Sequence, residues 1–222
     1  MRLAAPSFIK KADRITNVRY LKEWFHEIEL LYMSSLYEGD EPDADEVKAL
    51  SNEPVRYNVH LPYDRDLSIP ENWKIIETFT NTLRSLKAHT HTLHLQKEPE
   101  FFKNLSEFIE KVQAPITIEN SENDTELFEL ITDKSVGICL DLGHVICHGQ
   151  SVDKHLKKWG DRVELIHLHG TDSERDHKSI RFIDKATLKT IKNFALEHEV
   201  TVCLEVFNEK DLMESRDILL SL

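Results

Sequence analysis

The run Val136-Gly137-Ile138-Cys139-Leu140-Asp141-Leu142-Gly143-His144 decides how the rest of the chain is read. A short apolar, β-prone stretch ends in a carboxylate, and a turn carrying an imidazole follows at once. Continuous apolar runs of this kind belong to parallel strands, whose two faces are both covered. Working outward, similar runs occur at 3–8, 27–31, 55–60, 89–95 and 115–120 before it, and at 163–169 and 200–207 after it. Between them lie segments with helical spacing, such as Trp73, Ile76, Phe79, Leu83 and Leu86, or Phe101, Leu105, Phe108, Ile109 and Val112. Leu188, Ile191, Phe194 and Ala195 give a third, and further helices are predicted over 14–25, 43–51, 123–133, 151–159 and 208–220. Parallel strands need a crossover between them, normally a helix. Eight strands alternating with eight helices predict an α/β chain folded as a (β/α)₈ TIM barrel, one domain over 1–222. The competing open, doubly wound sheet usually carries a glycine-rich phosphate turn after its first strand; the chain has six glycines and none is so placed.

Composition narrows the function classes. The 222 residues carry 28 Lys+Arg against 40 Asp+Glu, a formal net charge of −12. Such a chain repels nucleic acid and anionic membranes on average, so a small-molecule substrate is expected and a nucleic-acid partner is not. No apolar stretch approaches the roughly 20 residues that span a bilayer, and the N-terminus lacks a signal-peptide pattern. Three cysteines, Cys139, Cys147 and Cys203, have no CxxC spacing and read as reduced thiols, the first and last in the core, of a cytoplasmic protein. The acidic stretch 38–46 reads as a solvated loop leading into a helix. Nothing in the sequence sets the oligomeric state.

Twelve histidines stand out, and their places matter more than their number. Barrel ligands project from the C-terminal ends of the strands. Those ends read Glu29, His60, His94, Glu119, Asp141 with His144, His167 with His169, and Glu205. Any one of them has an ordinary explanation: a buried rim histidine, or a carboxylate capping the next helix, as Asp141 could. Together, five imidazoles and four carboxylates at one mouth carry a charge near −4 when the histidines are neutral. Buried carboxylates cost several kcal/mol each unless paired or bound to cations. Divalent metal supplies the missing charge most simply. Imidazole and carboxylate without thiolate suit Zn, Mn or Fe, and the number of ligands exceeds one tetrahedral ion, so two or three ions are expected, Zn or Mn first. Two ions can clamp a phosphoester, while one can polarise a sugar carbonyl. In the loop 171–177, His177 and Asp176 could add ligands and Arg175 could meet a phosphate, with Asn120 as a further substrate contact.

The motifs His60-Leu-Pro, Ile118-Glu119-Asn120, Asp141-Leu-Gly-His144, His167-Leu-His169 and Leu204-Glu205-Val-Phe resemble the xylose-isomerase-like barrel superfamily. That group contains type 2 apurinic endonucleases and sugar-phosphate isomerases and epimerases. The stretches 7–9, 15–18, 27–31, 57–62, 90–95 and 166–170, with Asp176-His177 and 204–207 with Asp211-Leu212, resemble more narrowly the cobamide-remodelling phosphodiesterases. The resemblance implies a metal-dependent hydrolase that opens the nucleotide-loop phosphodiester of a corrinoid and releases cobinamide phosphate. It also implies roles: Glu119 bridging, His60 and His94 on one ion, Asp141, His167 and Glu205 on a second, His144 and His177 on a third. Glu119, Glu205 and His144 would be catalytic; Glu29, His169 and Asp176 are additional candidates. The pattern departs from the endonucleases at Arg175, where they place an Asp ligand. The alternatives are a sugar or sugar-phosphate isomerase, with Glu119 and Glu205 moving a proton, and a metal- or corrinoid-binding protein without turnover.

Overall fold

A computed structural model describes residues 1–36, 40–172 and 175–222; Glu38 and Gly39 of the acidic stretch, and Ser173 and Glu174 of the 171–177 loop, lie outside the described residues. Among the described residues, eight strands run β1 (Arg2–Pro6), β2 (Glu27–Leu31), β3 (Arg56–His60), β4 (His91–His94), β5 (Ile116–Glu119), β6 (Gly137–Asp141), β7 (Val163–Leu168) and β8 (Thr201–Leu204). Each pairs in parallel with its neighbours in sequence, and β1 also pairs with β8, which closes the barrel.

The helices are α1 (Arg14–Leu21), α2 (Ala44–Ser51), α3 (Pro70–Leu83), α4 (Pro99–Val112), α5 (Leu142–Cys147), α6 (Val152–Trp159), α7 (Lys185–Glu197) and α8 (Glu209–Ser221). Local sequence starts them. Asp13, Asp43, Ser151, Asp184 and Asn208 accept hydrogen bonds from first-turn N–H groups, and Pro70 and Pro99 open α3 and α4. The helix expected over 123–133 is instead a 3₁₀ segment, Thr125–Leu130, with only Thr125 and Phe128 buried. That single-turn contact is too narrow a stripe to hold an α-helix against the sheet. The extra helix α5 follows β6 directly, because Asp141 Oδ1 accepts the His144 N–H at 2.8 Å.

Two cores result. The large one lies between sheet and helices and takes Ile28, Leu30, Val59, Leu93, Ile118 and Ile166 from the outward faces of the strands. A second, separate cluster of Ala4, Cys139, Leu165 and Cys203 lies inside the barrel. Successive strand residues point to opposite faces. The alternate positions therefore line the lumen, and they are largely polar. At the N-terminal end sit Glu27, Asn58 and Thr201, tied by hydrogen bonds of 2.8 Å to Glu27. Beyond the small apolar layer, at the C-terminal end, the same periodicity delivers the histidines and carboxylates.

Candidate active site

His167 is the hub of the mouth. Fully buried at the end of β7, it places Nδ1 2.8 Å from Glu119 Oε1 and 3.3 Å from Glu205 Oε2. Its Nε2 lies 3.0 Å from both oxygens of Glu29. Glu119, Asp141, His167 and Glu205 each offer a ligand atom within 4.8 Å of the others, and all four are buried. On one flank, His60 Nε2 lies 3.3 Å from Glu119 Oε2 and 3.1 Å from His94 Nε2. On the other, His144, His169 and His177 converge, His169 and His177 stacked with centroids 4.1 Å apart. The loop after β7 holds His177 there: its N–H donates to His169 Nδ1 at 3.1 Å, and its own φ is +52°. Gly170 and Lys178 close that loop with a pair of backbone hydrogen bonds.

These groups fit a cation. Among the described residues, Glu119 Oε2, Asp141 Oδ2, Glu205 Oε2 and His169 Nε2 are buried and accept or donate no hydrogen bond. The imidazole nitrogens nearest the three oxygens sit 3.3–3.4 Å away, and His169 Nε2 sits 3.4 Å from Asp141 Oδ1, all out of hydrogen-bond geometry. A buried oxygen left in that state is costly unless an ion meets it. Without an ion, protons carry the compensating charge. Burial works against a charge on His167, but Glu119, Glu29 and Glu205 raise it well above the ordinary imidazole range. His60 rises too, burial being outweighed by Glu119, and His169 by Asp141. Burial also opposes charge on His177, yet Glu205 and Asp176 push it up to about 9. Burial would lift Glu119 and Glu205, but His167 holds both well below the usual carboxylate range. His94 goes the other way: burial takes it down to about 4 despite Glu119.

The structure brings together His60, His94, Glu119, Asp141, His144, His167, His169, His177 and Glu205. Three further expectations change. Glu29 lies across the His167 ring from Glu119 and Glu205, on the other nitrogen. Asp176 is half-exposed and meets the outer nitrogen of His177, at 3.1 Å. Asn120 does not face a substrate: it is fully buried, donating to the Asp141 carbonyl and accepting from the Asp141 N–H. Arg175 is exposed in a cleft of about 740 Å³ above His177, with Cys147, Thr171, Lys178, Phe207 and Asn208. Two residues that sequence reasoning passed over form walls: Tyr63 stacks on His94 at 5.0 Å, and Phe207 on His177 at 4.9 Å. An aromatic three residues after His60 and one two residues after Glu205 were the available signals.

No family model and no curated protein matches the sequence. Solved structures do match. A D-tagatose 3-epimerase-like protein superposes with a TM-score of 0.82 at 18% identity, over 100% of this chain and 96% of its own. The chain shares the closed (β/α)₈ barrel fold of these proteins. A 3-keto-D-glucoside 4-epimerase from E. coli gives 0.72 at 13% identity, over 100% and 98%. A family 2 AP endonuclease from Brucella melitensis gives 0.73 at 13%, over 94% and 93%. D-psicose 3-epimerases, sugar phosphate isomerase/epimerases and an IOLI protein solved with a zinc atom also match. The corrinoid phosphodiesterase reading of the sequence is corrected by these neighbours. They are mostly sugar epimerases and isomerases and favour the sugar reading set beside it. Among the described residues, no helix is long and apolar enough to cross a membrane.

Proposed function

We propose that the protein is a metal-dependent isomerase or epimerase of a small sugar or sugar phosphate. The observation that carries this reading is the cage of Glu119, Asp141, His167 and Glu205, whose ligand atoms lie within 4.8 Å of one another at successive strand ends. Three carboxylates and one imidazole suit Mn, Zn or Fe. An ion bound there supplies positive charge that polarises a sugar carbonyl and favours loss of a proton from the neighbouring carbon.

The chain's own residues do the rest. Glu119 and Glu205 approach His167 Nδ1 together, at 2.8 and 3.3 Å, and are the two carboxylates able to take a proton from one face of a sugar and return it. His60 lies 3.3 Å from Glu119 Oε2 on the flank of the cage, and its own Nδ1 is fixed 3.0 Å from the Leu61 carbonyl. Tyr63 and Phe207 hold His94 and His177 by stacking and narrow the entrance to water. Arg175 and Lys178 in the outer cleft favour an anionic substituent on the substrate. The groups His60–His94–Glu119 and His144–His169–His177 give room for a second and a third ion.

The test is to load the protein with Mn²⁺ or Zn²⁺ and incubate it with a panel of ketoses, aldoses and their phosphates, separating products by chromatography. Appearance of an epimer or isomer that a chelator abolishes supports the reading. A metal-loaded protein that leaves the whole panel unchanged contradicts it.

A further inference from the structure

We propose that Glu29 is a positioning residue that fixes the tautomer and ring angle of His167, so that Nδ1 faces the cage. The inference rests on the cage being a cation site. Glu29 lies on the lumen-facing side of β2, and His167 ends that of β7, strands that share no hydrogen bonds in the closed barrel. Their contact therefore crosses the lumen, between residues 138 apart in sequence. Both side chains are completely buried, so no water competes for it.

An imidazole has two nitrogens on opposite sides of one rigid ring. Glu29 approaches Nε2 with both oxygens at 3.0 Å, while Glu119 and Glu205 approach Nδ1. A neutral imidazole has one N–H and one lone pair. Without an ion, the charged ring can donate to carboxylates on both sides. With a cation in the cage, Nδ1 would be the ligand atom and the single remaining N–H would sit on Nε2, where Glu29 accepts it. Carboxylate partners of ligating histidines typically account for 10- to 100-fold in metal affinity. Glu29 also lies near Cys203, and a site made of Glu29, His167 and Cys203 is the competing arrangement. In that arrangement Cys203 would matter as much as Glu29.

Zinc affinity measured by competition with a chromophoric chelator tests the inference on the metal-stripped protein and its Glu29→Gln, Glu29→Asp and Cys203→Ser variants, with circular dichroism to verify folding. The expected result is a 10- to 100-fold weaker affinity for Glu29→Gln, partial recovery in Glu29→Asp, and no change in Cys203→Ser. In the zinc-loaded wild type, ¹⁵N spectra of the histidines should show His167 carrying its proton on Nε2, a readout that needs no variant to fold. Wild-type affinity in Glu29→Gln, equal losses in Cys203→Ser, or a proton on Nδ1 would overturn the role of Glu29 alone. A wild type that binds no zinc or manganese would overturn the cage itself.

Discussion

The side-chain amide of Asn120 clasps the backbone of Asp141 from both sides: Nδ2 donates to the Asp141 carbonyl at 3.0 Å, and Oδ1 accepts the Asp141 N–H at 2.9 Å. This locks the end of β6 to the residue after β5, and so sets two of the four cage ligands relative to each other. Asn120→Ala strands two buried backbone groups, each costing about 1–3 kcal/mol. Denaturant titration should show a loss of roughly 2–6 kcal/mol with metal affinity reduced as well. A change within 0.5 kcal/mol, in the range of an ordinary surface substitution, would show that the clasp is replaceable.

Gly143 in α5 is the second point where the backbone serves the site. A Cβ there would lie 2.3 Å from His169 Cδ2 and 2.4 Å from its Nε2. Alanine ordinarily favours a helix over glycine by about 1 kcal/mol. Here the buried ring has no space to yield, so Gly143→Ala should destabilise by about 1–3 kcal/mol and displace His169. A variant as stable as wild type, with unchanged zinc stoichiometry, would show that α5 shifts freely.

Stability of the metal-free protein should fall on both sides of neutrality. His177, raised to about 9, favours the fold when protonated. Its contribution is complete below the unfolded value of about 6.5 and disappears as pH rises through about 9, on the order of 3 kcal/mol. His91 and His94 have the opposite sign: burial lowers both to about 4. The unfolded chain gains protons first as pH falls below about 6.5, and the stability they contribute is lost toward pH 4. Melting curves of the stripped protein from pH 4 to 10 should trace a dome. Flat stability between pH 6.5 and 9 would contradict the assigned surroundings of His177.

Metal binding should release protons. His60, His167, His169 and His177 are all raised in the metal-free site by neighbouring carboxylates, and a ligand nitrogen must be deprotonated. Calorimetric titration with zinc at pH 7, in buffers of different ionisation enthalpy, should give proton release and an affinity that rises from pH 6 to 8. Uptake of protons, or an affinity independent of pH, would rule out imidazoles as the displaced acids.

The barrel was legible because its strands carry their own punctuation. The segment 27–31 is β2 as read, and the other expected strands differ from the observed ones by one to three residues at their ends. The ligands were legible for the same reason, since alternation puts every second strand residue in the lumen. Asp141 fits both of its readings at once: Oδ1 caps α5 while Oδ2 is left without a hydrogen bond. What escaped was relative direction. Sequence spacing does not tell which nitrogen of His167 meets Glu29 across a closed barrel, nor that Asn120 turns toward backbone. The substrate escaped for another reason: a ligand cage reports the charge it holds, and one cage serves many reactions on this fold.

Proton exchange in heavy water tests the central claim most directly. The zinc- or manganese-loaded protein is incubated in D₂O with the sugar panel, and deuterium at the carbon beside the carbonyl is followed by NMR. The account predicts chelator-sensitive incorporation into at least one sugar, reduced at least 100-fold in Glu119→Gln and Glu205→Gln. A fully metal-loaded protein that introduces no deuterium into any of them would contradict it.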